Sequence, residues 1–576
     1  MKKILAVILA ACLLFTTGCA GTDFLSEAIE DAVADIAEYV ANSFDEGTGN
    51  ALGEFAGASG AYFEDIPRQE TDFYQMEYVH YNEEDFLAIC DEMYAIAEQG
   101  AEISEAVETL DRLFEELYFI YTLSELATIE YYSDPTDPYW EAEANYSSEL
   151  SFKLYDEFMY AVGAVAISEH SELLESRFYT EDIEYLGSTY GERMPESESQ
   201  TALDMYANEN ELINSYYSLM NEEEPDKEAV AELFVELVES RRQEAEWYGY
   251  DSYAEYAYDY FYCKDYYPED AQAIWDGVKE YFSPVSEEYY WEMDRIESLL
   301  ERRDDLDCSP EAILAAMERN MPRVSEELSE AFDYMKRNHL YNIDYSEQKA
   351  AMGYTTRLYY YDVPFIFNAP YGEFTDYLDM IHEFGHFSNM FYTQTDLLFG
   401  ISDIDLGELQ SQGLEMLFTA FYDDIFGVYA DDVEEYLLMD IVCVIVEGAM
   451  YDEFQQRVFM EENLSAERVC EIFAEVYEEY GYEPYEEYEY EWIYVPHNFD
   501  FPFYYISYAV SALGALEIYT LMQTDFDAAA DKYLYVCSMN TEYYYYSEAL
   551  EEADFADIFD IRSFAETAQT VIARLD

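Results

Sequence analysis

His382 and His386 lie four residues apart, with Glu383 directly after the first, in the run His382-Glu383-Phe384-Gly385-His386. On a helix that spacing puts both imidazoles on one face, one turn above the other. Two such rings can share a metal ion at about 2.0–2.1 Å. Glu383, about 100° around the axis, can reach a metal-held water and take its proton without being a ligand. A catalytic metal also needs a third protein ligand and an open position. Glu408, inside the segment 407–415 (Gly-Glu-Leu-Gln-Ser-Gln-Gly-Leu-Glu), supplies that ligand if its helix runs alongside, with Asp403, Asp405 and Glu415 as competitors. Gln412, on the same helical face as Glu408, could accept a hydrogen bond from a ligand imidazole. The chain has only six histidines in 576 residues, so abundance does not explain two at this spacing. The chemistry implied is metal-assisted hydrolysis of peptide bonds, with one zinc ion as the natural occupant.

The elements that must position these groups are legible on either side. After the turn-like residues 368–372, Thr375 can cap a helix whose Leu378, Ile381, Phe384 and Phe387 face a core. Just before it, residues 354–367 are β-branched and aromatic and read as one or two strands of a small sheet, with Pro364 implying an edge or a bend. An edge strand beside a metal site could hold an extended peptide by strand addition. Further on, His497 precedes Pro502, Tyr505 and Tyr508, the two tyrosines spaced for one face of a helix. A phenol and an imidazole aimed at the metal could donate to a developing oxyanion. With 63 tyrosines in the chain, spacing alone leaves these two as core or surface residues just as readily.

The whole chain sets further bounds. Hydrophobic residues make up 51%, which marks a folded protein, and 26 Lys+Arg against 128 Asp+Glu leave a formal net charge of −102. Such a surface repels nucleic-acid phosphates and anionic lipid headgroups, so a nucleic-acid role is excluded, while an acidic channel mouth would favour basic peptides. Residues 1–19 read as a lipoprotein-type signal peptide: Lys2 and Lys3, an apolar run over 4–15, then Thr17, Gly18 and Cys19, the last being the lipid-bearing residue. The expected location is extracytoplasmic, anchored to a bacterial membrane through Cys19. Residues 20–61 comprise an amphipathic acidic helix over 24–41 and a Gly-rich spacer over 47–61. Residues 62–195 read as an N-terminal helical domain and 196–576 as a catalytic domain; the Pro195 region reads as a loop, with helix resuming near Ala202. The cysteines after Cys19 show no metal-type spacing and read mostly as buried thiols.

Taken together, the motif at 382–386, the Glu408–Glu415 segment, Pro364-Phe-Ile-Phe before it, and Pro496-His497 with Pro502-Phe-Tyr-Tyr-Ile-Ser-Tyr508-Ala after it resemble the oligoendopeptidase F and thimet oligopeptidase family of zinc peptidases. The resemblance covers the C-terminal half; the N-terminal helices match only in length and character. It implies a mainly α, clam-like, two-lobed body with a deep channel and a small β-sheet beside the zinc-binding helix. It implies His382, His386 and Glu408 as ligands, Glu383 as base, and His497, Tyr505 and Tyr508 as transition-state donors, Tyr508 foremost. The histidine often found three residues after the second ligand is Asn389 here. The expected activity is hydrolysis of internal bonds in short oligopeptides by a monomer. The alternatives are a catalytically silent peptide-binding lipoprotein and a dipeptide-trimming exopeptidase. The latter needs a cation for a terminal carboxylate, and Arg357 is the only Lys or Arg between Lys349 and Arg457.

Overall fold

The computed structural model describes residues 62–63 and 70–575, apart from short stretches at 193–195, 223, 301–302, 304–305 and 347. The signal peptide, Cys19, the amphipathic helix at 24–41 and most of the spacer lie outside the described residues. Helices dominate. The first six are α1 (Glu83–Gln99), α2 (Ile103–Ser133), α3 (Pro138–Ala166), α4 (Thr180–Tyr190), α5 (Glu196–Met220) and α6 (Lys227–Trp247). The break between α2 and α3 falls at the two prolines: Pro138 takes the first helical position, where its missing N–H has no cost, and Asp137 caps the turn. Helix α5 begins at Glu196, six residues before the expected Ala202.

Helices α7 (Ala271–Tyr281), α8 (Ser283–Leu300), α9 (Pro310–Val324) and α10 (Glu326–Arg337) follow, then the sheet, then α11 (Thr375–Tyr392) and α12 (Ile404–Phe418). The C-terminal part contains α13 (Ala430–Met460), α14 (Ala466–Glu479), α15 (Tyr505–Met522), α16 (Phe526–Cys537), α17 (Tyr546–Glu552) and α18 (Ile561–Leu575). The buried apolar side chains form two clusters. The smaller is built from residues 86–190 with Leu398, and the larger runs from Leu126 to Val571. Helix α2 belongs to both: Leu110, Leu113 and Leu117 sit in the small cluster, Leu126, Ile129 and Tyr132 in the large one. Cys90, Cys263, Cys308, Cys443, Cys470 and Cys537 are buried free thiols.

The sheet has three strands, β1 (Tyr341–Asn342), β2 (Gly353–Leu358) and β3 (Val363–Asn368), in the order β1-β3-β2. Pro364 therefore stands in the central strand, contrary to the edge expectation. The reason is local. The Ile366 N–H donates to Leu340 O on the β1 side, so the missing N–H of Pro364, two residues earlier, faces the same way. The β1 pairing involves only Ile366 and Phe367, so nothing opposite Pro364 lacks a donor. Strand β2, one of the two edges, is antiparallel to β3 and lies against α11. Thr375 does not cap α11; it is the first helical residue. The preceding turn is organised by the Asp376 carboxylate, which accepts from the N–H groups of Tyr371, Gly372 and Glu373 at 2.9, 2.7 and 3.0 Å.

Candidate metal centre and active site

Helix α11 crosses α12 at Gly385, the glycine between Glu383 and His386. A Cβ there would sit 2.5 Å from Ser411 Cα and 2.8 Å from Gln410 O, both backbone atoms. The absent side chain is what lets the two helices approach, and the approach brings Glu408 to the histidines. His382 Nε2 lies 3.4 Å and His386 Nε2 3.9 Å from Glu408 Oε2, and the three donor atoms all fall within 4.8 Å of one another. Ligands about 2.1 Å from one ion at tetrahedral angles lie roughly 3.4 Å apart, so the donor set fits zinc. Burial lowers His386 to about 4, keeping it in the neutral form that a metal requires. Burial acts to raise Glu408, but its hydrogen bond to His382 and the charges of His386 and His382 outweigh this and hold it at about 2.

The competitors for the ligand role are engaged elsewhere. Asp403 caps α12, accepting from Leu406 N at 2.8 Å, and also accepts from Tyr546 N at 3.0 Å. Asp405 is buried against Lys264, whose Nζ is 2.8 and 2.9 Å from its two oxygens and 2.7 Å from Ser507 Oγ. Glu415 pairs with His382 Nδ1 at 2.7 Å, which leaves Nε2 to the metal position. The imidazole-orienting partner is therefore Glu415, not Gln412; both share a face with Glu408, and only the placement of α11 decides between them. Gln412 keeps a buried carboxamide oxygen with no hydrogen bond.

Glu383 is fixed by the edge strand. Thr355 Oγ1 donates to its Oε2 at 2.6 Å, leaving Oε1 toward the cavity. Burial raises Glu383 to about 7, against the lowering effects of His382 and Thr355. A carboxyl poised there can both take and return a proton near neutral pH. Thr355 carries no sequence signal beyond its strand propensity. Lys264 was equally invisible: it follows a π-helical turn over Tyr256–Phe261 and the left-handed Cys263 (φ 51°), well over a hundred residues before its partner.

Tyr505 and Tyr508, on the first turn of α15, line the same cavity as the metal donors. His497 does not line it; its ring packs edge-on against Tyr505 (centroids 5.0 Å) and beside Tyr508 (6.3 Å), with Nδ1 buried and unpartnered. The entry to α15 is strained: Phe503 is left-handed (φ 67°), and its N–H is held by Gln455 Oε1. The cavity measures about 720 Å³ and includes Asp379, Asp440 and Glu447 in its lining but no Lys or Arg. A recess of about 330 Å³ adjoins it at Gly353 and Glu383, with Ile313, Ile343, Met352 and Met380 as its apolar side. Arg357 is 6% exposed and closes the C-terminus of α11, donating to Met390 O at 2.9 Å and pairing with Asp362. Asn389 donates to the carbonyls of Cys537 and Met539 at 2.9 and 2.7 Å, tying α11 to the end of α16.

A metal-motif helix is thus packed on a glutamate-bearing helix, with a small sheet at its side, inside a mainly α body. The chain shares this fold with solved structures of oligoendopeptidase F and related enzymes. An oligoendopeptidase F from Bacillus anthracis superposes with a TM-score of 0.67 at 19% identity, covering 88% of this chain and 98% of that one. PZ peptidase A, solved with an inhibitor, gives 0.68 at 18%, covering 88% and 99%. Trypanosoma cruzi metallocarboxypeptidase 1 gives 0.52 at 14%, covering 82% and 100%. No family model and no curated protein matches the sequence.

Proposed function

We propose that this protein is a zinc-dependent peptidase that cuts internal bonds of short peptides outside the cytoplasm, anchored through Cys19. The observation that carries the reading is the convergence of His382, His386 and Glu408 on one point, with Glu383 held beside it by Thr355. When bound, zinc would supply Lewis-acid polarisation of the scissile carbonyl and an acidified water. Glu383 Oε1 takes the proton of the attacking water and returns it to the leaving amine. Tyr508, with Tyr505 and His497 behind it, donates hydrogen bonds to the carbonyl oxygen as it gains charge. The exposed edge of β2 gives an extended peptide backbone partners at Gly353–Thr355, whatever its side chains.

An endopeptidase is favoured because the cavity lining holds no Lys or Arg for a terminal carboxylate, and Arg357 is occupied at the end of α11. The metallocarboxypeptidase among the similar folds keeps terminal trimming as the second reading. The test is cleavage of a quenched nonapeptide blocked at both ends, with chelator and then restored zinc. Internal cleavage abolished by the chelator and recovered with zinc supports the proposal. Cleavage only of peptides with a free end selects the exopeptidase, and zinc retention without any cleavage selects a silent peptide-binding protein.

A further inference from the structure

Helix α13 carries acids along its length, and the fold treats them differently by position. Near its start, Asp431 and Glu434 are paired with Arg574 at 3.0 and 2.7 Å. Near its end, Asp452 accepts hydrogen bonds from Tyr258 and Trp275 at 2.8 and 3.1 Å, and Glu453 is paired with Lys279 at 2.6 Å. Between them Tyr436, Asp440, Val444 and Glu447 recur at helical spacing and face the site cavity. Here, among the described residues, no Lys or Arg pairs with an acid of the cavity wall. Glu447 meets only the hydroxyl of Tyr290 among these contacts, and the charged groups around Asp440 are Glu415, Glu447, Asp379 and Glu297, all acidic. Asp379, one turn before His382 on α11, opens into the same cavity from the opposite side. A chain that pairs its acids at both ends of one helix leaves those facing the cavity to repel each other.

An independent observation points to a ligand in the same place. Gln412 is 6% exposed, lines this cavity, and holds a carboxamide oxygen that accepts from nothing. A buried acceptor without a donor is costly, and an N–H brought in by a ligand relieves it. A group that satisfies three carboxylates and a carboxamide oxygen is a cation rich in N–H donors.

We propose that Asp379, Asp440 and Glu447, with Gln412 beside them, form a subsite for a lysine or arginine side chain close to the cleaved bond. The inference rests on the peptidase reading for its substrate but can be tested without turnover. N-acetylated, C-amidated quenched peptides carry lysine, norleucine or glutamate at one position at a time, from the residues flanking the cut to a position five or more residues away. The expected result is a preference for lysine over norleucine of tenfold or more in kcat/KM at one position near the cut. In the variant Asp440→Asn/Glu447→Gln that ratio falls to about twofold. The overall negative charge attracts any basic peptide. An equal gain at every position would therefore assign the effect to bulk charge and overturn the subsite, as would an unchanged ratio in the variant. Should none of these end-blocked peptides be cleaved, the endopeptidase reading fails by itself. Fluorescence anisotropy of the same peptides on zinc-loaded Glu383→Gln protein then decides the subsite, a position-specific lysine preference supporting it and none overturning it.

Discussion

Replacing Lys264 by methionine asks whether one buried cation holds the ligand helix and the tyrosine helix in register. Lys264 Nζ lies 2.8 and 2.9 Å from the Asp405 oxygens and 2.7 Å from Ser507 Oγ, and the two charged side chains are 2% and 3% exposed. Asp405 sits one turn before Glu408, and Ser507 directly precedes Tyr508, so the bond joins the two walls of the site. Methionine fills much of the stem's volume but leaves the Asp405 carboxylate with the Tyr266 hydroxyl at 2.7 Å as its remaining close donor. A buried charge stripped of its partner costs about 3–5 kcal/mol, which denaturant unfolding reads directly. A merely structural pair would give the same loss, so Lys264→Met/Asp405→Leu is the discriminating variant. Exchanging both charges for apolar groups is commonly neutral or better, and stability should return to within about 1 kcal/mol of the parent. The tie between α12 and α15 is still missing, and a displacement near 1 Å at a reacting centre costs on the order of 10²-fold. The expected double variant is stable, with kcat lowered roughly 10–100-fold and KM little changed. Parent-like kcat in that variant would refute the positioning argument, and a loss under about 1 kcal/mol in the single variant would refute the buried pair itself.

Four further outcomes follow from the same geometry. Glu383→Gln should keep fold and zinc yet lose about 10²–10⁴-fold in kcat, measured on the blocked nonapeptide; retained turnover would remove Glu383 as the base. Glu415→Ala frees His382 Nδ1 and should weaken zinc about 10–100-fold in a chelator competition, and unchanged affinity would deny it the orienting role. Gly385→Ala drives a methyl into Ser411 Cα and Gln410 O, backbone atoms that cannot rotate away, so it should cost about 1–3 kcal/mol or more and weaken zinc as the helices part; a neutral effect on both would contradict the close crossing. Burial raises Glu125 and Asp452 to about 7 each. The folded protein then binds more protons than the unfolded chain between roughly pH 4 and 7, so stability falls as pH rises through that window. Urea unfolding should show several kcal/mol more stability at pH 5 than at pH 8, and a flat or rising profile would refute the assignment.

What the sequence revealed and what it withheld divide along a physical line. His382 and His386 form a local pattern: four residues on a helix fix two side chains to one face without help from the rest of the chain. Glu408 needed a second helix to arrive alongside, and four acids in thirteen residues left the choice open until the crossing at Gly385 selected one. Gln412 and Glu415 share the Glu408 face and have side chains of equal length, so periodicity could not say which would meet His382; the placement of α11 over the Glu415 end decides it. Pro364 misled because a rule about sheet interiors was applied to a strand that is interior at only two residues. Lys264 and Thr355 left no trace, since a lone lysine among tyrosines and a threonine in a strand acquire their roles solely from partners distant in sequence. The contact of the His497 ring with Tyr505, outside the cavity lining, is likewise a property of three-dimensional packing.

Helix α12 shows why the remaining unpaired atom matters. Its polar residues are assigned in every direction: Asp403 to its own N-terminus and Tyr546, Asp405 to Lys264, Glu408 to the histidines, Gln410 to the carbonyls of Val536 and Met539, Ser411 back to Glu408, and Glu415 to His382. A segment this thoroughly satisfied has little reason to bury one more carboxamide oxygen facing nothing, because an apolar residue of similar size would avoid the cost. Gln412 is the exception, and it lines the cavity in which Asp379, Asp440 and Glu447 also meet no Lys or Arg. Both deficits are of the same sign and lie in the same space. They are met together by a single entering group that donates hydrogen bonds and carries positive charge, which is why the acids of α13 read as recognition chemistry here and as scaffold at either end of the same helix.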